Sequence, residues 1–516
     1  MIESANGTSV EERANWVQTT LEEISEINPR PNLSNGNDDM EVTFLPMKAV
    51  EEMTGLFDGS CIRKLAEVKK GYTSFKNGDL LFAKITPCME NGKIAVVENL
   101  RNGIGFGSTE FHVIRLYESL PRKFFFFFLM QEDLRKTAQR SMTGSAGQLR
   151  VPLSYMKHIR IPFPPIIEQS RIVAKIEELF TKLDAGVKSL ETVKVQLKRY
   201  RQSVLKSAFE GKLTEQWRRT HRDELEPTSK LLERIKEERR KGWEDDLRAK
   251  GKDPKKCKYR EPEPVRLEKL TRVPEGWIWS SIGEIFQVGT GGTPRRDKPE
   301  YWNGGIPWVS SGEVAFCEVS RTKEQISELG MQNSNAKMHP SGTVLLALYG
   351  EGRTRGQAAI LRIHASTNQA IAAILCPDSF IPSEYVYWWL YQRYEETRRT
   401  ASGANQPNMY LRDVRMIPIP LAPLNEAIQI VSKIQQLFSS TEGTEKSIHA
   451  ARQLADSLRQ SILRDAFRGG FVPQDPSDEP ASVLLEKIES LKVKSSKDLN
   501  AKRVRSRIDA RQQRLT

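Results

Sequence analysis

Two separate stretches carry side chains suited to contacting a base edge or a phosphate. Lys84, Thr86, Asn91 and Lys93 lie in a turn between two β-type runs, Asp79 to Ile85 and Lys93 to Val97. Tyr349, Glu351, Arg353, Thr354 and Arg355 occupy the aligned loop later in the chain, and Arg295 and Arg296 flank a glycine-rich turn, Gly291-Gly292-Thr293-Pro294. Cationic and hydroxyl groups hold phosphates, arginine reads guanine O6 and N7, and asparagine suits adenine. For any one of these residues the plainer alternative is a solvated loop side chain.

No catalytic constellation accompanies them. The five cysteines, Cys61, Cys88, Cys257, Cys317 and Cys376, form no Cys-x-x-Cys pair, and the six histidines make no His-x-x-x-His pair. A zinc site is therefore not expected, and dispersed thiols fit a reducing cytoplasm better than a disulfide framework. The chain has no Gly-x-x-x-x-Gly-Lys-Ser/Thr phosphate loop, no Gly-x-Gly-x-x-Gly fingerprint and no Asn/Asp-Pro-Pro-aromatic motif of amino-methyltransferases. The residues from Met1 to Asn15 are polar and acidic, so no signal peptide is expected, and the phenylalanine run 124–128 is too short to cross a membrane. With 79 Lys and Arg against 66 Asp and Glu, the net charge of +13 favours a polyanionic partner. The expectation is a soluble, cytoplasmic, non-catalytic binding protein.

The elements that must position the two loops are duplicated. Ile172-Val173-Ala174-Lys175-Ile176-Glu177-Glu178-Leu179-Phe180 returns as Ile430-Val431-Ser432-Lys433-Ile434-Gln435-Gln436-Leu437-Phe438. Arg201-Gln202-Ser203-Val204-Leu205 returns as Arg459-Gln460-Ser461-Ile462-Leu463, so Lys175 and Arg201 each stand 258 residues before their counterparts Lys433 and Arg459. Further anchors pair Trp16 with Trp277, Gly78-Asp79-Leu80-Leu81 with Gly342-Thr343-Val344-Leu345, Ser108-Thr109-Glu110 with Ser366-Thr367-Asn368, and Ala146-Gly147-Gln148 with Ala404-Asn405-Gln406. The period is far longer than the ~20–50 residues of a solenoid unit, so this is a duplicated half-molecule. A pseudo-dimer of this kind suits a two-fold ligand such as duplex DNA.

Each half reads as a variable globular domain followed by a shared helical segment. Each globular part carries one aromatic helix, Arg122 to Arg140 and Ser383 to Thr400, whose dense aromatics predict core rather than a stacking platform. The proline-rich stretches Ile161 to Pro165 and Ile417 to Pro420 predict extended linkers. Beyond them Ile176, Leu179, Leu183, Leu190, Val193, Leu197, Tyr200 and Val204 alternate by three and four, with one miss at Gly186. The second copy keeps the register through Ile434, Leu437, Ile448, Ala451, Leu458 and Ile462, with small or polar Thr441, Thr444 and Ala455. This is coiled-coil spacing, and larger side chains in one copy can pack into smaller ones in the other. A rod of about 40 residues would be about 60 Å long. Short helices after Pro227 and Pro480 form a third repeat; residues 236–272 read as a hydrophilic linker, and Lys492 to Arg514 as a basic tail.

Taken together, the Ile-Pro-x-Pro stretches, Ile-Val-x-Lys-Ile-x-x-Leu-Phe, Arg-Gln-Ser-Val/Ile-Leu and Ala-Phe-x-Gly, each occurring twice, resemble the specificity subunit of type I restriction-modification systems. Tyr301-Trp302, Ile306-Pro307-Trp308-Val309-Ser310, Thr367-Asn368-Gln369-Ala370-Ile371 and Gly211-Lys212-Leu213-Thr214-Glu215-Gln216-Trp217-Arg218 add to the resemblance, which spans about residues 16–490. It implies an α+β chain with a pseudo-two-fold duplication: two target-recognition domains separated by an antiparallel coiled coil of two long helices. The boundaries expected are an N-terminal extension 1–15, a first recognition domain 16–161, a helical region 162–272, a second recognition domain 273–417, and a distal helical region with the basic tail, 418–516. The resemblance further implies that each domain reads half of a split double-stranded DNA target. Two modification subunits would dock on the helices and methylate an adenine in each half, and restriction/translocase subunits would join them. S-adenosylmethionine, ATP and Mg2+ would serve those partners, with no cofactor on this chain. A freestanding two-headed DNA-binding regulator is the alternative, distinguished by stable specific binding without partners.

Overall fold

The computed structural model describes residues 15–29, 37–145, 147–262, 264–265, 270–350, 353–377, 379–399 and 409–493. All but Asn15 of the N-terminal extension, the basic tail from residue 494 and the Ala404-Asn405-Gln406 anchor lie outside them. The chain divides into two compact units, residues 1–190 with 449–516, and residues 191–448. Two helices of 44 residues, Ile166–Phe209 and Leu424–Phe467, each contribute to both units. At 1.5 Å per residue each is about 66 Å long.

In the first unit a four-stranded antiparallel sheet has the order Ser25–Ile27, Phe111–Leu116, Leu80–Ala83, Ile94–Val96. The strands alternate as a sheet buried on both faces must. Leu80, Phe82, Ile94 and Ile114 face the aromatic helix and the long helices, while Leu81, Ala83, Ala95 and Val113 face a second small core. The other sheet, ordered Ile62–Lys64, Glu41–Leu45, Ile104–Gly107, Thr73–Lys76, contains one parallel pair.

The second unit repeats this plan. Gln287–Thr290, Ile371–Leu375, Val344–Ala347 and Ala358–Leu361 take the same spatial order, and Cys317–Val319 adds a fifth, parallel strand at the edge. Val344, Leu346, Ile360 and Ile374 face the helices, whereas Leu345, Ala347, Leu361 and Ala373 face the other way. A three-stranded sheet of Glu324–Ile326, Trp302–Val309 and Ser366–Thr367 repeats the order and pairing of Ile62–Lys64, Glu41–Leu45 and Ile104–Gly107, one antiparallel and one parallel, without the fourth strand that the first unit adds.

Both aromatic helices are core, for the same reason. Phe124 to Phe128 are each no more than 8% exposed because the helix is wedged between sheet and rod. Phe124 and Phe128 meet Phe467 edge-on at 5.0 and 5.3 Å, and Phe127 meets Phe180 at 5.7 Å. In the second unit Tyr385 and Trp389 meet Phe209 at 5.1 and 5.0 Å, and Trp388 meets Phe438 at 5.0 Å. Neither aromatic helix runs as far as its pattern predicts. Gln131 turns extended and starts a new helix, Glu132–Arg140, whose Glu132 and Asp133 suit a positive N-terminus. Arg393 likewise separates Ser383–Gln392 from Tyr394–Arg399.

The long helices run antiparallel, and their contacts repeat. Arg459 pairs with Asp184 and lies 4.9 Å from the Phe180 ring centre in the first unit. The equivalent Arg201 pairs with Glu445 at 2.9 Å and lies 5.3 Å from the Phe438 ring in the second. Ile176, Val204 and Ile434 are buried, and Leu179, Leu183, Leu190, Leu197, Leu437, Ile448 and Ile462 are half-buried. Val193 and Leu458 remain 36% and 42% exposed. Two helices cover only the stripe between them, and Gly186, Ala451 and Ala455 leave a shallow groove of about 280 Å³ beside it in the first unit.

Two local expectations change. The proline-rich stretches are extended, but they are paired strands: Arg160–Phe163 with Val17–Thr20, and Pro418–Leu421 with Ile278–Ser281. A two-stranded ribbon has only edge strands, where a missing proline N–H is tolerated. The start of the 236–272 stretch is not linker, because the helix Thr228–Ala249 continues through it. Buried Leu231 and Ile235 anchor that helix, Arg239 donates to the Glu284 carbonyl at 2.7 Å, and the outer face carries pairs such as Arg248 with Glu244 at 2.9 Å.

Candidate nucleic-acid interface

Each candidate loop is the tip of an antiparallel hairpin. In the first unit Leu80, Leu81 and Phe82 pair with Val96, Ala95 and Ile94, so residues 84–93 form the tip. In the second unit Val344, Leu345 and Leu346 pair with Ile360, Ala359 and Ala358, so the tip takes in 348–350 and 353–357, with Glu351 and Gly352 outside the described residues. Each tip projects from a sheet buried on both faces and carries an exposed polar side chain, Asn91 in the first unit and Arg353 in the second.

The four first-tip candidates share this loop, and three have their polar ends held. Thr86 donates to Glu90 at 2.6 Å, Asn91 donates its amide to Glu52 at 2.9 Å, and Lys93 reaches the Met47 carbonyl at 3.4 Å. Lys84 is half-buried; its backbone joins the tip to Glu110 and Val151 at 2.9 and 2.8 Å. Beside it Arg150 grips Glu110 with two hydrogen bonds of 2.9 Å. That grip, with Lys84 adding, holds the Glu110 carboxyl below its usual range. The neighbouring His112 is buried and bonds the Val151 carbonyl through Nε2 at 2.9 Å and Asn28 through Nδ1 at 3.2 Å. Burial pulls its pKa down.

The second-unit candidates divide into two groups. Arg353 is exposed at the tip, with Tyr349, Thr354 and Arg355 half-buried around it. Arg295 pairs with its neighbour Asp297 at 3.1 and 2.6 Å. Arg296 pairs with Glu324 and lies over Trp302, 3.8 Å from the ring centre. A guanidinium held by a ring and a carboxylate at once is well placed to fasten the Trp302–Val309 strand. The glycine-rich turn packs on the shared framework, because a Cβ on Gly291 would fall 1.8 Å from the Thr367 carbonyl oxygen. Gly292 donates its N–H to the same oxygen at 2.9 Å, and Thr293 bonds Gln369.

Glu426 is a second polar centre that the sequence does not announce. It is fully buried and accepts from Thr214 at 2.7 Å, Arg218 at 2.5 Å and the Trp277 indole at 2.8 Å. Thr214 and Arg218 both belong to the Gly-Lys-Leu-Thr-Glu-Gln-Trp-Arg motif, so that motif ties the long helix to its domain. In the first unit an open cleft of about 1180 Å³ lies between the tip and the long helices. Several of its charges are already paired, including Lys123 with Glu177 at 2.5 Å and Arg459 with Asp184. Among the described residues no group of three or more His, Cys, Asp and Glu could hold a metal ion, and no helix is long and apolar enough to cross a membrane.

Two domains that keep one framework and differ at their hairpin tips, each packed on halves of the paired long helices, define an internally duplicated α+β protein. Residues 13–194 and 274–451 match the type I restriction modification DNA specificity domain, and the chain belongs to that family of specificity subunits. It is 29% identical over 508 residues to the type I restriction enzyme EcoAI specificity subunit of Escherichia coli, covering 87% of this chain and 82% of that protein. It is 28% identical over 518 residues to the EcoEI specificity subunit of the same organism, with the same coverage, 87% and 82%. In fold it is similar to a solved chain from work on complex assembly and conformational transition of the type I R-M system. The TM-score is 0.61 at 18% identity, covering 89% of this chain and 99% of that one.

Proposed function

We propose that this chain is the DNA-reading subunit of a type I restriction-modification complex and recognises a bipartite duplex target, one half with each hairpin-tipped domain. The observation that carries the reading is the contrast between framework and tip. Gly291, Gly292 and Thr367 are locked to one another, whereas the described residues of 84–93 and 348–357 differ in side chain at the corresponding hairpin tip. Residues common to both halves cannot account for two different half-sites. The candidates are therefore Lys84, Thr86, Asn91 and Lys93 for one half, and Tyr349, Arg353, Thr354 and Arg355 for the other. Arg295 and Arg296 contribute as supports of the second domain.

The chain brings recognition and not chemistry. Two modification subunits dock on the long helices and methylate an adenine in each half-site, using S-adenosylmethionine; restriction/translocase subunits use ATP and Mg2+. The exposed side chains of Leu454 and Leu458 support docking there, since they leave apolar surface for further helices. Methylome sequencing of the host with and without the gene tests the proposal: a split adenine-methylated motif must vanish with the gene. Methyl transfer by the purified chain without partners would overturn it.

A further inference from the structure

We propose that each hairpin tip is set in its pose from behind by an arginine of the short helix that follows the aromatic helix, Arg135 in the first domain and Arg398 in the second. These are positioning residues for base discrimination and do not themselves touch DNA. The proposal rests on the hairpin tips being the reading elements.

In the first domain the tip turns on Gly92, which has φ +69°. A Cβ there would lie 2.5 Å from Met53 Sδ and 2.8 Å from Arg135 Nη1, so both side chains press on the bare glycine. Met53 itself has φ +64° and donates its N–H to the Gly92 carbonyl at 3.1 Å, while its neighbour Glu52 holds Asn91. Arg135 is only 8% exposed and donates to Met53 Sδ at 2.8 Å and to the Met130 carbonyl at 3.0 Å. Its Nε is buried without a hydrogen-bond partner among the described residues. Burying a cation is costly, and an apolar side chain of similar length would fill the same space. The charge is explained by what it fixes: the Met53 turn against the tip. The helix bearing Arg135 is in turn tied down, since the Glu132 N–H bonds Gln460 at 2.8 Å and Asp133 meets Arg464 at 3.3 Å.

The second domain reaches the same arrangement with different chemistry. Its tip turns on Gly356, φ +83°, which like Gly92 stands two residues before its return strand. A Cβ there would lie 3.3 Å from Arg398 Cγ and 3.6 Å from Tyr394 Cδ2. Arg398 donates to the Tyr394 hydroxyl at 2.7 Å, and that hydroxyl donates to the carbonyl of Arg353 at the tip. Arg135 is the fourth residue of its helix and Arg398 the fifth of its own. The two braces are therefore not a copied framework position, but they press on the same glycine of the same hairpin.

The test uses the full chain assembled with its modification subunits, and methylation rates on duplexes varied one base at a time in each half-site. Tyr394→Phe removes one hydroxyl and leaves the ring in place. It should narrow the preference for the correct base in the second half-site by about five- to tenfold, the scale of one hydrogen bond, and leave the first half-site alone. Arg135→Met should do the reverse, with part of the preference restored by Arg135→Lys. Affinity for unrelated duplex and its salt slope should stay unchanged, because neither brace neutralises a phosphate. Asn91→Ala and Arg353→Ala run in parallel. If these alter their half-sites and the folded brace variants do not, the brace is refuted and hairpin reading stands. If neither set alters a half-site, hairpin reading falls and the brace with it. A brace variant with a shallower salt slope would show direct binding to DNA instead and overturn the positioning role.

Discussion

Replacing Arg218 with methionine should destabilise the second unit far more than a surface change would. Glu426 is 0% exposed and the Arg218 side chain 16%, with 2.5 Å between them. Methionine keeps the aliphatic stem but leaves a buried carboxylate facing only two neutral donors, Thr214 and Trp277. Breaking a buried pair by removing one partner costs about 3–5 kcal/mol. At ~2–4 °C per kcal/mol for a unit of this size, the melting transition of that unit should fall by about 6–20 °C. Adding Glu426→Gln removes the orphaned charge and keeps an acceptor, so the double variant should recover about 1–3 kcal/mol. Urea and thermal unfolding of the two variants beside the parent measure both quantities. A loss below about 1 kcal/mol in Arg218→Met, or a double variant less stable than the single, would refute the argument that the pair's charge balance holds the helix to its domain.

Arg353 and Arg355 changed together to alanine should relax only the second half-site, by roughly 1–3 kcal/mol for each arginine that reads a base. If they hold phosphates instead, the salt slope should fall by about one per arginine for all sequences. Four residues inserted after Val193, about one helical turn, should lengthen the spacer between half-sites and leave both half-sites intact; methylome sequencing reads this directly. His112 supplies a pH dependence. Its partners assign the neutral ring with the proton on Nε2, and burial lowers its pKa from an ordinary 6.5. The unfolded chain therefore takes up a proton that the fold refuses, so stability is complete above pH 6.5 and declines as pH falls below it. Urea titrations at several pH values should show that decline in the parent and a flatter profile in His112→Gln.

What could be read directly from the residues was whatever the duplication repeats. Paired anchors such as Gly78-Asp79-Leu80 and Gly342-Thr343-Val344 lead into the equivalent hairpins, and the aromatic runs proved to be core because both their flanks are occupied. Contacts between residues distant in sequence were not legible. Nothing near Arg296 announces that it will lie over Trp302 and pair with Glu324, so it reads like any loop cation. Arg135 and Arg398 sit in charged helices and declare themselves only through the glycines they press on, and the matched register of Gly92 and Gly356 was the one available signal. Proline in Arg160–Phe163 argued against pairing, but a ribbon of two strands imposes little on its members.

The division of the two long helices has a consequence for biosynthesis. The second unit is one uninterrupted stretch, residues 191–448, whereas the first is split around it. The core around Phe124 to Phe128 includes Leu463, Phe467, Leu484 and Ile488, so the domain made first can close last. At ~5–20 residues per second the ribosome takes roughly 15–60 s to pass from the first segment to the residues that complete it. For that interval an aromatic face waits without its cover, and any chain released early keeps a sound second head beside a first head open to aggregation.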